Sequence, residues 1–284
     1  MLKKKKEFRS LRVYLDSNCL RELDKLPNDK SIEYSTSFYS VFELISGMTS
    51  ESEYKRRLPI LLKMKSIGLA ITWSSFRSLF MKEVLGIIDN DDVVATKELY
   101  DYMNSETSYE DLCNYNFKIG DSESYNLELL IKHDNKVNSD IFGSLKSAIS
   151  TVDRSQRKNL REDTFNSDYV NNNIDWLIKD MLLQLLQNNP KCVHNPQYVA
   201  WRELFVSGPF SEFSKGCMWG IYRTFALGQN PGSNDGLDYL QLLHSKSVDV
   251  FLSNDKLFHR LNDLNVFEAS FLSLQELIQK VNAK

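Results

Sequence analysis

The sequence predicts an α/β protein with a central, mostly parallel sheet and a largely α-helical region inserted in its middle. Three observations lead there. Short β-branched and aromatic runs end at aspartates near both ends of the chain, in Val13-Tyr14-Leu15-Asp16 and Val250-Phe251-Leu252-Ser253-Asn254-Asp255. A helical periodicity follows each run, and longer ones fill the residues between. Strand and helix therefore alternate at both termini, which is the pattern of a parallel sheet built from the two ends of a chain.

Taken in order, Arg12 to Leu15 reads as a strand, and Leu20, Leu23 and Leu26 then stand at helical spacing before Pro27. Over Thr36 to Gly47, Phe38, Val41, Phe42 and Ile45 recur at i, i+3, i+4 and i+7, an amphipathic helix that Gly47 closes. A further helix is expected over Glu51 to Lys65 and a second strand over Leu69 to Trp73, so the start reads β-α-α-α-β. Helical periodicity continues in Ser75 to Ile88, Val93 to Met103, Leu127 to Ile131 and Ile174 to Leu186, with Asn171-Asn172-Asn173 and Asn188-Asn189-Pro190 as polar connectors. Gln229-Asn230-Pro231-Gly232-Ser233-Asn234 is a loop signal. After it come a helix over about 235 to 245, a strand at Val248 to Ser253, a short helix, a last strand near Phe267 to Phe271 and a closing helix over Ser273 to Val281. Residues 11–75 and 228–284 form the two halves of the sheet domain. Residues 76–227 are helical, partly core and partly insertion.

A chain of 284 residues with 42% hydrophobic and 26% charged residues buries a sizeable core. Its net charge of −3 does not announce a nucleic-acid binder, but the charge is uneven. Lys3 to Lys6, Arg9 and Arg12 against Glu7 give the first twelve residues +5, leaving −8 for the rest. Glu7-Phe8-Arg9-Ser10-Leu11-Arg12 interrupts the apolar core that a secretory signal needs. No run approaches the length of a membrane span. Cys19, Cys113, Cys192 and Cys217 are scattered without a C-x-x-C pair, so a reducing cytoplasm is expected. His194 follows Cys192 by two residues but lacks the second Cys/His pair that would close a zinc tetrahedron.

The carboxylates carry the chemistry. In a parallel sheet the carboxyl ends of the strands share one edge, so Asp16 and Asp255 meet there if their strands are neighbours. Asp238 opens the helix that runs back before the Val248 strand, which places it at the same rim, and Asp235 stands three residues ahead of it. Glu43 lies off the apolar stripe of its helix, on the side of Thr36, Tyr39 and Gly47. An aspartate between strand and helix is also a common N-cap, and Asp235 with Asp238 has the spacing of a capping box. Ser17 and Asn18 beside Asp16, and Ser253 and Asn254 beside Asp255, supply polar neighbours; Asn18, Ser253 and Asn254 are the candidates for orienting carboxylates.

In these residues the chain resembles the PIN-domain nucleases, the family that includes the ribonuclease toxins of many bacterial toxin and antitoxin pairs. The family pattern is a strand ending in Asp, a helix carrying Glu, and an Asp that begins a helix about seventeen residues ahead of a strand ending in (Thr/Ser)-x-Asp. Here Tyr14-Leu15-Asp16-Ser17-Asn18, Val41-Phe42-Glu43-Leu44 and Asp238 followed by Ser253-Asn254-Asp255 match it, and 255 − 238 = 17. The resemblance covers roughly residues 11 to 75 and 230 to 275. The stretch between the second strand and Asp238 is far longer than compact members require.

The resemblance implies a PIN-like three-layer α/β/α fold and a metal-dependent phosphodiesterase, an endoribonuclease using Mg²⁺ or Mn²⁺. Asp16, Glu43, Asp238 and Asp255 would be the catalytic set. Asp16, Asp238 and Asp255 would bind metal, with Asp235 replacing or assisting Asp238. RNA is the implied substrate, with DNA, as for a structure-specific nuclease of related architecture, the other nucleic acid; an inhibitor protein or a second copy is the implied partner, and no membrane is involved. The alternative is a PIN-like scaffold without catalysis that binds a protein or nucleic acid through its helical middle.

Two regions suit nucleic acid and also have ordinary readings. Arg154, Arg157, Lys158 and Arg161 fall on one helical face and would track phosphates, or else form a solvated face balanced by Asp153, Glu162 and Asp163. The aromatics from Tyr198 to Phe225 would stack bases, although the helical spacing of Trp201 with Phe205, and of Tyr222 with Phe225, favours packing.

Overall fold

A computed structural model describes residues 10–119, 124–136, 139, 143, 158, 164–185, 197–229 and 235–283. Its centre is a five-stranded parallel sheet in the order β3-β2-β1-β6-β7, flanked by helices. The strands are β1 (Leu11–Leu15), β2 (Ile32–Ser37), β3 (Ala70–Thr72), β6 (Val250–Leu252) and β7 (Ser270–Leu272); β4 (Phe117–Lys118) and β5 (Ser124–Tyr125) form a separate antiparallel pair.

β1 is the middle strand. Its Val13, Tyr14 and Leu15 are buried, as expected for a strand covered on both faces. On one side it pairs with β2, and on the other Val13, Tyr14 and Leu15 face Val250, Phe251 and Leu252 of β6. From β1 the chain winds outward through β2 to β3, then resumes on the opposite side with β6 and β7. The order therefore reverses between β1 and β6, and the carboxyl ends of these two strands form the crevice where open α/β sheets take their ligands.

The helices are α1 (Ser17–Leu20), α2 (Phe38–Ser46), α3 (Glu51–Ser66), α4 (Phe76–Leu85), α5 (Asp91–Tyr102) and α6 (Tyr109–Asn114). A helical run over 127–136 is followed by α7 (Ser167–Leu185), α8 (Tyr198–Val206), α9 (Ser211–Ala226), α10 (Asp235–Gln241), α11 (Lys256–Asn262) and α12 (Leu274–Asn282). α10 tightens into a 3₁₀ turn over Leu242–Ser247 before β6. Among the described residues no helix is long and apolar enough to cross a membrane.

Two sequence expectations change. Ile32–Ser37 is a strand, so the start runs β-α-β-α-α-β and Ala70–Thr72 is the third strand, not the second. Its Glu33 is exposed and Thr36 and Ser37 are buried, a mixed pattern without apolar alternation; backbone pairing with β1 on one edge and β3 on the other decides its state. Asn171, Asn172 and Asn173 lie inside α7 and connect nothing, because the apolar periodicity of Tyr169, Val170, Ile174, Leu177 and Ile178 runs through them. The described part of 76–227 contributes Phe80, Leu99, Phe205, Phe213, Met218 and many others to the same continuous core as β1 and β6. It packs on the sheet domain as part of one core. α5 lies on α2, and α9 lies on α10 and the 3₁₀ turn after it.

Candidate metal centre

The geometry at the β1/β6 crevice begins with register. Because Leu15 pairs with Leu252, the next residues, Asp16 and Ser253, emerge side by side, and the Asp16 N–H donates to the Leu252 carbonyl at 3.1 Å. Asp16 is buried and ends the strand as the N-cap of α1, its Oδ1 accepting the Cys19 N–H at 2.8 Å. Its other oxygen, Oδ2, accepts the Ser253 hydroxyl in a short hydrogen bond. The Ser253 Oγ in turn accepts the Asp255 N–H at 2.9 Å, so one buried hydroxyl fixes two acids from opposite ends of the chain. Asp255 caps α11, its Oδ1 accepting the Leu257 N–H at 2.7 Å, while Oδ2 receives no hydrogen bond among the described residues.

Glu43 comes from α2, where every other residue is buried and Glu43 is half-buried. That is the physical reason it falls off the apolar stripe. Among the described residues its carboxylate has no hydrogen bond or ion pair; Arg57 donates to its backbone carbonyl at 2.9 Å, not to its side chain. Asp238, in the first turn of α10, is likewise without a donor or cation among the described residues. Asp235 differs, since Arg223 of α9 holds its Oδ2 at 3.2 Å. Its charge is already answered.

The electrostatics tie the acids together. Burial pushes the Asp238 carboxyl up to about 8, and the negative fields of Asp255, Glu43, Asp235 and Asp16 add to it. Asp16 is pushed up to about 6, mainly by burial and further by Glu43, against the opposing donors from Ser253 and Cys19. Asp16, Glu43, Asp238 and Asp255, acids with no lysine or arginine paired to them among the described residues, suit a hard dication with oxygen ligands. The placement is looser than a finished cage: among the described residues no three His, Cys, Asp or Glu side chains are gathered closely enough to hold one ion. The acids stand within Coulombic reach of each other without closing to ligation distance.

Beneath the rim lies a polar layer that sequence reasoning missed. The Tyr14 hydroxyl shares hydrogen bonds with Ser37 Oγ at 2.7 Å and Ser40 Oγ at 3.2 Å, and donates to Gln241 Oε1 at 3.4 Å. The Thr36 hydroxyl donates to the Leu15 carbonyl at 2.7 Å. The His244 ring stacks on Tyr14 at 6.0 Å between centroids. This layer locks β1, β2, α2 and the 3₁₀ turn behind the acids. The small hydroxyls of Thr36, Ser37 and Ser40 were its only local signal.

Of the other expected residues, Ser253 donates to Asp16. Asn254 does not touch the site acids: its amide donates to Glu22 Oε1 at 3.2 Å and its oxygen accepts the Leu274 N–H at 3.3 Å, because it sits on the outer side of the turn that Ser253 lines. Asn18 makes no hydrogen bond to an acid and borders a surface cavity with Arg21 and Asp255. Arg154, Arg157 and Arg161 lie outside the described residues, which include Lys158 alone of that stripe. The aromatic segment is largely core: Trp201, Phe205, Phe210, Phe213 and Trp219 are buried. Compared with family models, curated proteins and solved structures, the chain matches none of them at a significant level.

Proposed function

We propose that this chain is a divalent-cation-dependent phosphodiesterase that cleaves RNA, with Asp16, Glu43, Asp238 and Asp255 as its acids. The observation that carries this reading is the carboxylate cluster at the point where the strand order reverses, in which Asp238 is raised first by burial and then by four other acids and has no cationic partner among the described residues. Bound there, Mg²⁺ or Mn²⁺ supplies a nucleophile from water, a hold on the scissile phosphate and compensation for charge on the leaving oxygen. Asp16, Asp238 and Asp255 are the residues to hold it, and Glu43 holds it or orients the attacking water. Ser253 keeps Asp16 facing Asp255 by donating to one and accepting from the backbone of the other. Arg223 keeps Asp235 out of the ligand set and in an outer, supporting position.

The test is incubation of the full chain with single-stranded and structured RNAs and with flap DNA, in Mg²⁺, in Mn²⁺ or in chelator. RNA cleavage that needs the cation is expected, and Asp16→Asn and Asp255→Asn should each lower it by more than the about 10- to 100-fold typical of losing an outer-shell partner. Equal activity in both variants would overturn the assignment.

One observation favours a second reading. Asp16 and Asp255 already cap helices, and the acids are not closed to ligation distance, as suits a non-catalytic scaffold. Calorimetry with Mn²⁺ separates the two, since a scaffold should give no heat that depends on Asp16.

A further inference from the structure

We infer that the cavity beside Asp255 is the seat of the nucleotide next to the scissile bond, and that Arg21 and Lys256 hold its phosphate. The inference rests on the nuclease reading and deepens it by naming how the substrate strand is gripped. The cavity has a volume of about 510 Å³ and is lined by Asn18, Arg21, Glu22, Asn254, Asp255 and Lys256. That is within the range of small-molecule sites and large enough for one nucleotide unit. The occupant proposed is a single RNA strand, one nucleotide of which this volume accommodates.

Its position follows from the fold. Arg21 is the C-cap of α1, whose N-cap is Asp16, and Lys256 is the first residue of α11, whose N-cap is Asp255. The two helices leave the two central strands at the crevice, so each strand end delivers its acid and then a cation, Arg21 after the short helix that Asp16 caps and Lys256 directly after Asp255, and both cations line the same cavity. A phosphodiester whose scissile group sits at the acids places its neighbouring phosphate between these cations.

The charges are arranged for this. Among the described residues Arg21 and Lys256 make no ion pair, whereas Glu22 is answered by Lys25 at 2.7 Å and by the Asn254 amide. Of the two acids lining the cavity, Glu22 is therefore compensated and Asp255 spends one oxygen on capping α11, while both cations remain available to an anion. Elsewhere on the surface, cations such as Lys55, Lys97, Lys132 and Arg202 are each matched by a carboxylate. Two exposed, unmatched cations at the mouth of the reaction crevice are where counterion release would be gained on binding a strand.

The experiment uses the full chain and a short fluorescein-labelled single-stranded RNA, with anisotropy read in chelator so that binding is measured without cleavage. Titrations over about 50 to 200 mM salt give both the affinity and the slope of log affinity against log salt. The Arg21→Ala/Lys256→Ala double variant should bind about 10-fold more weakly and lose about 1.4 from the slope, at about 0.7 per contact for a single strand. Lys132→Ala, which removes an exposed cation paired with Glu128, should change neither. An unaltered affinity and slope in the double variant, or an equal loss in Lys132→Ala, overturns the inference. If wild-type chain still cleaves RNA in that case, the cavity assignment falls alone; if wild-type chain neither binds nor cleaves RNA, the nuclease reading falls with it.

Discussion

Two titrating residues tilt the stability of this protein in opposite directions with pH. Asp238 is raised from its ordinary 3.8 to about 8, so the folded state holds its proton more tightly than the unfolded chain does. Its contribution is fully present at low pH and is lost as pH rises from about 4 towards 8. In chelator, Asp238→Asn should therefore raise the melting temperature at pH 8, by an amount corresponding to about 1–3 kcal/mol, and the gain should vanish near pH 4. An effect independent of pH would show that the carboxyl does not feel its neighbours. His244 runs the other way: burial lowers it from 6.5 to about 4, so it is neutral in the fold, and stability is lost as pH falls from 6.5 through 4. His244→Phe, which keeps a ring against Tyr14, should flatten this acid limb in thermal melts. Ser253→Ala removes a hydroxyl that serves both Asp16 and the Asp255 N–H, and should cost about 1–3 kcal/mol in denaturant titrations. Asp16 and Asp255 were legible as residues because each closes an apolar run; the pairing of Asp235 with Arg223 was not, because twelve residues of separation carry no periodic signal.

The elements that bring the acids in depend on close helix packing. α9 crosses α10 and the following turn at two glycines: a Cβ on Gly216 would lie 2.5 Å from a Leu242 methyl, and one on Gly220 would lie 2.9 Å from the Tyr239 hydroxyl. These contacts set how far α10, and with it Asp238, stands from the sheet. Gly220→Val should destabilise the protein by about 1–3 kcal/mol despite removing a helical glycine, and should weaken Mn²⁺ binding in calorimetry by displacing α10. Unchanged Mn²⁺ affinity would mean that the position of Asp238 does not depend on this packing. Helices with a strong stripe, such as Phe38–Ser46 and Leu274–Asn282, were readable to within a few residues. Ile32–Ser37 was not, since Thr36 and Ser37 hydrogen-bond to the Leu15 carbonyl and the Tyr14 hydroxyl of β1, and hydrophobic pattern cannot register that purpose.

Across the molecule, β1 receives partners from both ends of the chain, and Arg12 strengthens the seam by donating to Asp249 from its backbone N–H at 2.9 Å and from its guanidinium at 3.1 and 3.3 Å. A chain ending at residue 229 would lose β6 and β7 and leave the middle strand β1 as an edge. It should show no cooperative unfolding transition and no near-ultraviolet circular dichroism, whereas a short deletion within α12 should retain both. The adjacency of the two termini was legible from sequence because strand and helix alternate there; the share of the helical middle in the same core was not, since periodicity reports that a helix has an apolar face and not what it faces. The seam also sets an order in time. While the protein is being synthesised, the emerging chain presents Asp16 and Glu43 long before Asp238 and Asp255 exist. On the nuclease reading proposed above, the capacity to cut would arise only after Asp238 and Asp255 had joined the acids made first.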